Sequence, residues 1–293
     1  MHRTIRRRGA TLPSYGILVG LIAIVAVVAT QNLGLTIREL FGNLAWTVET
    51  SEAKTQEDLG WVEEFDRVNP TKNPDNGWAI EMSDRGRWRV SEWDNGSVFA
   101  NAWDEAQITS DGDIATITLE RATRDWQAAG DTTDLFSGEI RTFASYAEGH
   151  FTARMQVSDV PGTVSAFFLF ADPGSNEEID IEILGDDPTK VQLNYWHDGV
   201  QNPVTKDLGF DASEGFHTYG FKFSDQGINF TVDGDTIHSV PAGAGLPDQP
   251  MQLMVNHWAV DASAGSWSSA YDTTTNPVSK LYVDDIVYRK QGD

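Results

Sequence analysis

Beyond Trp61 the apolar residues of this chain recur at every second position, and helical periodicity is absent. In Phe151-Thr152-Ala153-Arg154-Met155-Gln156-Val157-Ser158 apolar and polar side chains alternate without a break, as a strand with one buried face requires. Tyr219, Phe221 and Phe223 repeat the pattern. Ile228 to Val232 followed by Asp233-Gly234 reads as a hairpin, because Asp-Gly accepts the positive φ of a tight turn. Many short strands separated by Gly, Asp, Asn and Pro turns predict an all-β fold, a two-sheet antiparallel β-sandwich. No internal repeat is visible.

One strand carries chemistry as well as structure. In Glu178-Ile179-Asp180-Ile181-Glu182 the period of two sends three carboxylates to one face and both isoleucines to the other. Two plainer readings compete with a functional one: an acidic stripe on a helix, which the isoleucines oppose, and an edge strand turned toward water. Crowded carboxylates resist simultaneous ionisation, so one proton is held to high pH while a neighbour stays charged. An acid beside a nucleophile is what hydrolysis of a glycosidic bond needs. Cα atoms four residues apart on a strand are ~13 Å apart, so the two glutamates come within the ~5 Å of a retaining pair only if both lean inward over Asp180.

The surroundings fit a sugar ligand. Gln192, Asn194 and Trp196 alternate onto one face of the next strand, polar and aromatic together. Ten tryptophans exceed what a core requires, so several are expected at the surface. Glu139 and Arg141 share a strand face, either as an exposed ion pair of little energetic worth or as a grip on hydroxyls. The net charge of −23 divides into +3 over residues 1–50 and −26 over the rest, which repels nucleic acid and anionic lipid. There is no cysteine, hence no disulfide framework, thiolate metal site or cysteine nucleophile. The histidines show no metal-ligand spacing, so catalysis is expected to need no metal.

The run from Phe167-Phe168 through EIDIEILG, then TKVQLNYW, LGFDASEGFHTYGF and the VDG turn, resembles glycoside hydrolase family 16, most closely its lichenase-type endo-β-1,3-1,4-glucanases. The likeness spans roughly Phe65 to Tyr288 and takes in WDNGSVFANAW and GEIRTFASYAEGHFTARM. It implies a curved, concanavalin A-like jelly roll with a concave cleft. It also implies Glu178 as nucleophile, Glu182 as general acid and base, and Asp180 as the residue that tunes both. Matching positions place Trp93, Asn95, Phe99, Trp103, Glu139, Arg141, Tyr146, Phe168, Gln192, Asn194, Trp196, Asn256, Trp258 and Trp267 along the substrate. The uninterrupted EIDIE is similar to the lichenase form rather than the laminarinase form, which inserts a bulge residue. Asp284 matches a position of structural calcium, with carbonyls near Glu64 and Gly112 as co-ligands, although a plain surface aspartate fits the residue as well. Asn101 and Ser137 stand where lichenases commonly place a disulfide. Asn176 replaces a tryptophan, Trp196 a tyrosine, and the loop ADPGSN is shorter.

The implied substrate is mixed-linkage β-1,3-1,4-glucan, followed by a bacterial exopolysaccharide with β-1,4-glucosyl links. The rival functions are a transglycosylase and a non-catalytic sugar-binding module displayed on a pilus or envelope.

Three segments are expected: residues 1–46 as a basic leader with a hydrophobic helix, 47–60 as a linker, and 61–293 as the catalytic sandwich. Gly16 to Ala29 is uncharged and apolar behind Arg3 and Arg6 to Arg8, which marks a membrane-engaging N-terminal helix and an extracytoplasmic domain. The leader also resembles that of Flp-type pilins, with Gly9 as the cleavage point, Tyr15 six residues on, and Ser14 where a glutamate is usual. Cleavage after Gly9, cleavage after Ala29 and retention correspond to a pilus-associated, a secreted and a membrane-tethered protein.

Overall fold

The computed structural model describes residues 60–65, 69–73, 77–81, 87–95, 98–122, 134–171, 176–276 and 278–290, with 69–73 and 77–81 described by backbone pairing. All belong to the unit spanning 56–293. The leader, the apolar segment 16–29 with its cleavage points, residues 47–59 of the linker and loop residues 172–175 lie outside the described residues. Among the described residues no helix is long and apolar enough to cross a membrane. Helical structure there amounts to two short 3-10 turns, Glu105–Gln107 and Ala262–Ala264.

Period-two patterning produces two stacked sheets, antiparallel except for the short parallel pair Ala102–Trp103 and Leu135–Ser137. One sheet runs in the order Asp235–Pro241, Gly227–Val232, His217–Ser224, Gly149–Gln156, Val278–Arg289, Ala115–Arg121, Leu135–Ser137, Ala102–Trp103. The other runs Val200–Gln201, Lys190–His197, Glu178–Leu184, Thr163–Phe170, Met251–Ala259, Glu139–Tyr146, Trp88–Val90, Gly77–Glu81, Asn69–Asn73. Neighbours in space come from distant parts of the sequence, as a jelly roll requires.

The core lies between these sheets. Strand Gly149–Gln156 buries every second residue, and Phe151 stacks toward Phe221, which stacks in turn on Phe167 of the other sheet at 5.3 Å. Ile179, Ile181 and Ile183 are fully buried in the same core, so the acids between them point away from it. The hairpin falls where Asp-Gly places it: Val232 pairs with Asp235, and Asp233 and Gly234 take φ of 51° and 87°. Gly60, expected to close the linker, is already the first strand residue and pairs with Arg289. A Cβ there would sit 2.2 Å from the Tyr288 carbonyl oxygen, so the close approach of the last strand demands glycine.

Hydrogen bonds occupy the two positions that the resemblance pairs as a disulfide. Asn101 Oδ1 accepts the Ala259 N–H at 2.8 Å, and the Ser137 hydroxyl donates to the His257 carbonyl. The first ties a loop, the second strand Leu135–Ser137, to strand Met251–Ala259. The His257 ring is fully buried between Ser165 Oγ (3.2 Å from Nδ1) and Ser279 Oγ (2.8 Å from Nε2), and the latter meets Ser158 Oγ at 2.6 Å. This chain of hydroxyls joins the two sheets. Burial drives the His257 pKa down to about 4.

Candidate active site

On the face of strand Glu178–Leu184 opposite the core, Glu178, Asp180 and Glu182 line a cavity of about 620 Å³. Pairing on both sides of the strand is unbroken from 178 to 182, with Glu178 opposite Trp196 and Phe170, Asp180 opposite Asn194 and Phe168, and Glu182 opposite Gln192 and Ala166. No bulge turns either glutamate aside. The strand is interior to its sheet, which removes the edge-strand reading.

Burial dominates the protonation of the trio. Burial, with the Glu178 charge beside it, pushes Glu182 up to about 8. Burial also raises Glu178, to about 7, against a hydrogen bond from Asp180 that favours its ionised form; the charge of Glu139 adds to the rise. Asp180, 5% exposed, is pushed well above the usual range by burial and by both glutamates. As pH rises Glu178 is therefore the glutamate that ionises first, while Glu182 and Asp180 keep their protons.

Strands Met251–Ala259, Thr163–Phe170 and Glu139–Tyr146 extend the floor. Phe168, Asn256, Trp258, Glu139 and Arg141 line the cavity, together with Trp93, Asn95 and Phe99 from the adjoining loops and Trp103 from strand Ala102–Trp103. Glu139 is a buried carboxylate, not an exposed ion pair: Ser91 Oγ donates to it at 2.5 Å and Asn256 Nδ2 at 2.9 Å. Burial raises its pKa against those two bonds and the Arg141 charge. The Arg141 guanidinium lies 4.8 Å from the ring centroid of Trp93, which is 40% exposed. Phe99 packs on Trp103 and Trp258 at 5.8 and 4.5 Å.

Other expected residues are placed differently. Tyr146 lies in the core, accepts the Trp61 Nε1–H at 3.1 Å and packs on Phe151 and Tyr288. Its parity explains this, for it falls with Ile140 and opposite the buried Met251, on the side away from Glu139 and Arg141. Gln192, Asn194, Trp196 and Trp267 stand beside the cavity rather than lining it. Gln192 accepts the Trp267 Nε1–H at 2.8 Å, and Asn194 accepts the Asn202 N–H at 2.9 Å while bonding Asp180. Among the described tryptophan side chains Trp61, Trp88, Trp103 and Trp258 are buried, Trp196 is half-buried, and Trp93 and Trp267 are exposed.

Sequence reasoning missed Ala166, Phe170, Gln252 and Met254 of the lining. The signal was present, since 252, 254, 256 and 258 alternate along one strand and 166, 168 and 170 along its neighbour. It also missed Glu177. This buried carboxylate accepts from His197 Nδ1 at 3.1 Å, from Asp198 N at 3.1 Å and from Asp248 N at 3.2 Å, locking two turns behind the start of the catalytic strand.

Glu177, His197 and Asp198 bring their ligand atoms within 4.8 Å of one another, the one such group of three or more among the described residues, but the Glu177 carboxylate is already taken by the three donors above. Asp284, the expected calcium position, is salt-bridged to Arg154 on the adjacent strand.

Comparison with known proteins agrees with this geometry. Residues 95–278 match the model of glycosyl hydrolases family 16. A β-glucanase of Acetivibrio thermocellus is 37% identical over 66% of this chain and 56% of its own length, so the chain spans little more than half of that relative. A β-glucanase of Brevibacillus brevis is 35% identical over 70% of this chain and 78% of its own. Among solved structures, a prokaryotic β-1,3-1,4-glucanase (lichenase) derived from a mouse hindgut metagenome superposes with a TM-score of 0.66 at 30% identity, covering 79% of this chain and 99% of that one. The Bacillus licheniformis β-glucanase gives 0.65 at 26% identity, covering 79% and 98%.

Proposed function

Because this chain belongs to family 16 of the glycosyl hydrolases, we propose that its cleft is an endo-acting β-glucanase of the lichenase type, cleaving β-1,4 bonds of mixed-linkage β-1,3-1,4-glucan with retention of configuration. One observation carries the reading: Glu178 and Glu182 share an unbulged strand face at the floor of an aromatic-walled cavity, in environments that ionise the first before the second.

The roles follow from that order. Ionised Glu178 attacks the anomeric carbon and forms a glycosyl ester, while Glu182 gives its proton to the departing glucosyl oxygen. Glu182, now a carboxylate, takes a proton from water, which attacks the ester and frees Glu178. Asp180 donates a hydrogen bond to Glu178 and favours its charge before attack and on release. Trp93 and Phe99, the latter backed by Trp103, offer aromatic faces to pyranose rings, and Glu139, Arg141 and Asn256 face the hydroxyl rims. NMR of the first product tests the mechanism. A β anomer is expected; an initial α anomer defeats double displacement.

A β-1,4-linked bacterial exopolysaccharide is the second substrate reading, supported by Asn176. With φ of 54°, it turns its side chain toward Gly199 and leaves no aromatic wall at that place. Barley β-glucan, laminarin, xyloglucan and a succinoglycan-type polymer, assayed side by side with products sized, separate the two. The apolar run behind four arginines supports work outside the cytoplasm, secreted or tethered, which fractionation of cells making the full chain tests.

A further inference from the structure

The catalytic strand leaves the cleft floor at Leu184, and its exit is tightly fixed. Gly185 N–H donates to the Thr163 carbonyl at 2.8 Å, and a Cβ on Gly185 would meet the Val160 carbonyl oxygen at 2.0 Å. Asp186 follows at once. Its Oδ2 accepts from the Ser268 hydroxyl and from the Ser269 N–H at 3.1 Å. These two serines come directly after Trp267 in a loop whose ends are tied elsewhere, by Asp261 N–H to Val98 O at 2.7 Å and by Tyr271 N–H to Val260 O at 2.9 Å. Asp186 thus holds the loop just past Trp267 to the end of the strand that carries the acids.

What the loop presents is Trp267. Its ring lies nearly parallel to Trp258, 5.7 Å away at 18°, and its Nε1–H donates to Gln192, yet the side chain stays 37% exposed. Gln192 is the partner of Glu182 on strand Lys190–His197, whereas Trp196 is that of Glu178. Trp267 therefore stands on the side of the residue that protonates the leaving group. A half-exposed indole braced from behind is suited to stack on a sugar ring.

We propose that Asp186 is a positioning residue: it latches the 261–271 loop so that Trp267 forms the platform for the sugar that leaves across Glu182 and for the acceptor that replaces it. The latch rests on the glycosidase reading of the cleft. Burial raises the Asp186 pKa, but the hydrogen bonds from Ser268, Ser269 and Gly162 outweigh it and hold the carboxyl below its ordinary value. The latch stays charged while the cleft acids titrate, so it does not open within the working pH range.

The test compares Asp186→Ala, Asp186→Asn, Trp267→Ala and the Asp186→Ala/Trp267→Ala double variant on barley mixed-linkage glucan and on a β-linked disaccharyl fluoride, whose leaving group reaches no platform. Asp186→Ala is expected to raise KM for the glucan roughly three- to tenfold, the scale of one aromatic contact, with kcat/KM for the fluoride changed by less than about twofold. Asp186→Asn, which still accepts from Ser268, recovers most of the loss. In the Trp267→Ala background Asp186→Ala adds nothing. Equal losses on both substrates, or additive losses in the double variant, overturn the proposal. Hydrogen exchange reads the latch without turnover: the Ser269 amide is protected in the native chain and exposed in Asp186→Ala. A wild type inactive on both substrates sinks the glycosidase reading, whereas an unprotected Ser269 amide sinks the latch.

Discussion

The proposed reaction needs Glu178 charged while Glu182 keeps its proton, and burial raises both carboxyls, Glu178 to about 7 and Glu182 to about 8. Activity should rise as pH climbs through the Glu178 value and fall as it passes the Glu182 value, giving a narrow bell in kcat/KM. Replacing Asp180 tests its part in the acid limb. Asp180→Ala removes the donor that favours the Glu178 charge and moves that limb to higher pH, whereas Asp180→Asn keeps a donor and leaves it near its place. Glu178→Gln and Glu182→Gln should each lower turnover on glucan by at least ~10²-fold without lowering the melting temperature, since both side chains face the cavity and not the core. Loss of folding in either variant would contradict that placement.

Strands are where the sequence spoke most clearly. Alternation exposes the buried face of Gly149–Gln156 and the acid face of Glu178–Leu184, because a two-residue period is written locally. The same parity, applied to residues 252 to 258, would have added Gln252 and Met254 to the floor, and applied to 140 and 146 would have moved Tyr146 into the core. Pairing across the sheets was not legible. Glu139 meets Ser91 48 residues away and Asn256 117 residues away, contacts that follow from strand order rather than from any neighbouring residue. Asn101 carries a prediction at this scale. Asn101→Ala leaves the buried Ala259 N–H without its acceptor and should cost about 1–3 kcal/mol in denaturant unfolding, whereas Asn101→Asp, which still accepts, should cost less.

Taken whole, the sandwich carries a buried imidazole between its sheets, and that sets its acid tolerance. His257 binds its proton near pH 4 when folded and near 6.5 when unfolded, so the unfolded chain takes up protons first as pH falls. The stabilisation is complete above about 6.5 and is lost progressively toward about 4, up to about 3 kcal/mol for this one group. His257→Gln, which keeps polar partners for the serines, should flatten the fall of the melting temperature between those pH values. A pH profile as steep as that of the native chain would refute this. The hydrogen-bonded anchors at Asn101 and Ser137 have a different consequence. With no thiol to oxidise, maturation of this domain needs neither a thiol oxidase nor a disulfide isomerase. Thiol reagents should leave its melting curve untouched, and folding should run as well in a reducing cytosol as in an oxidising medium.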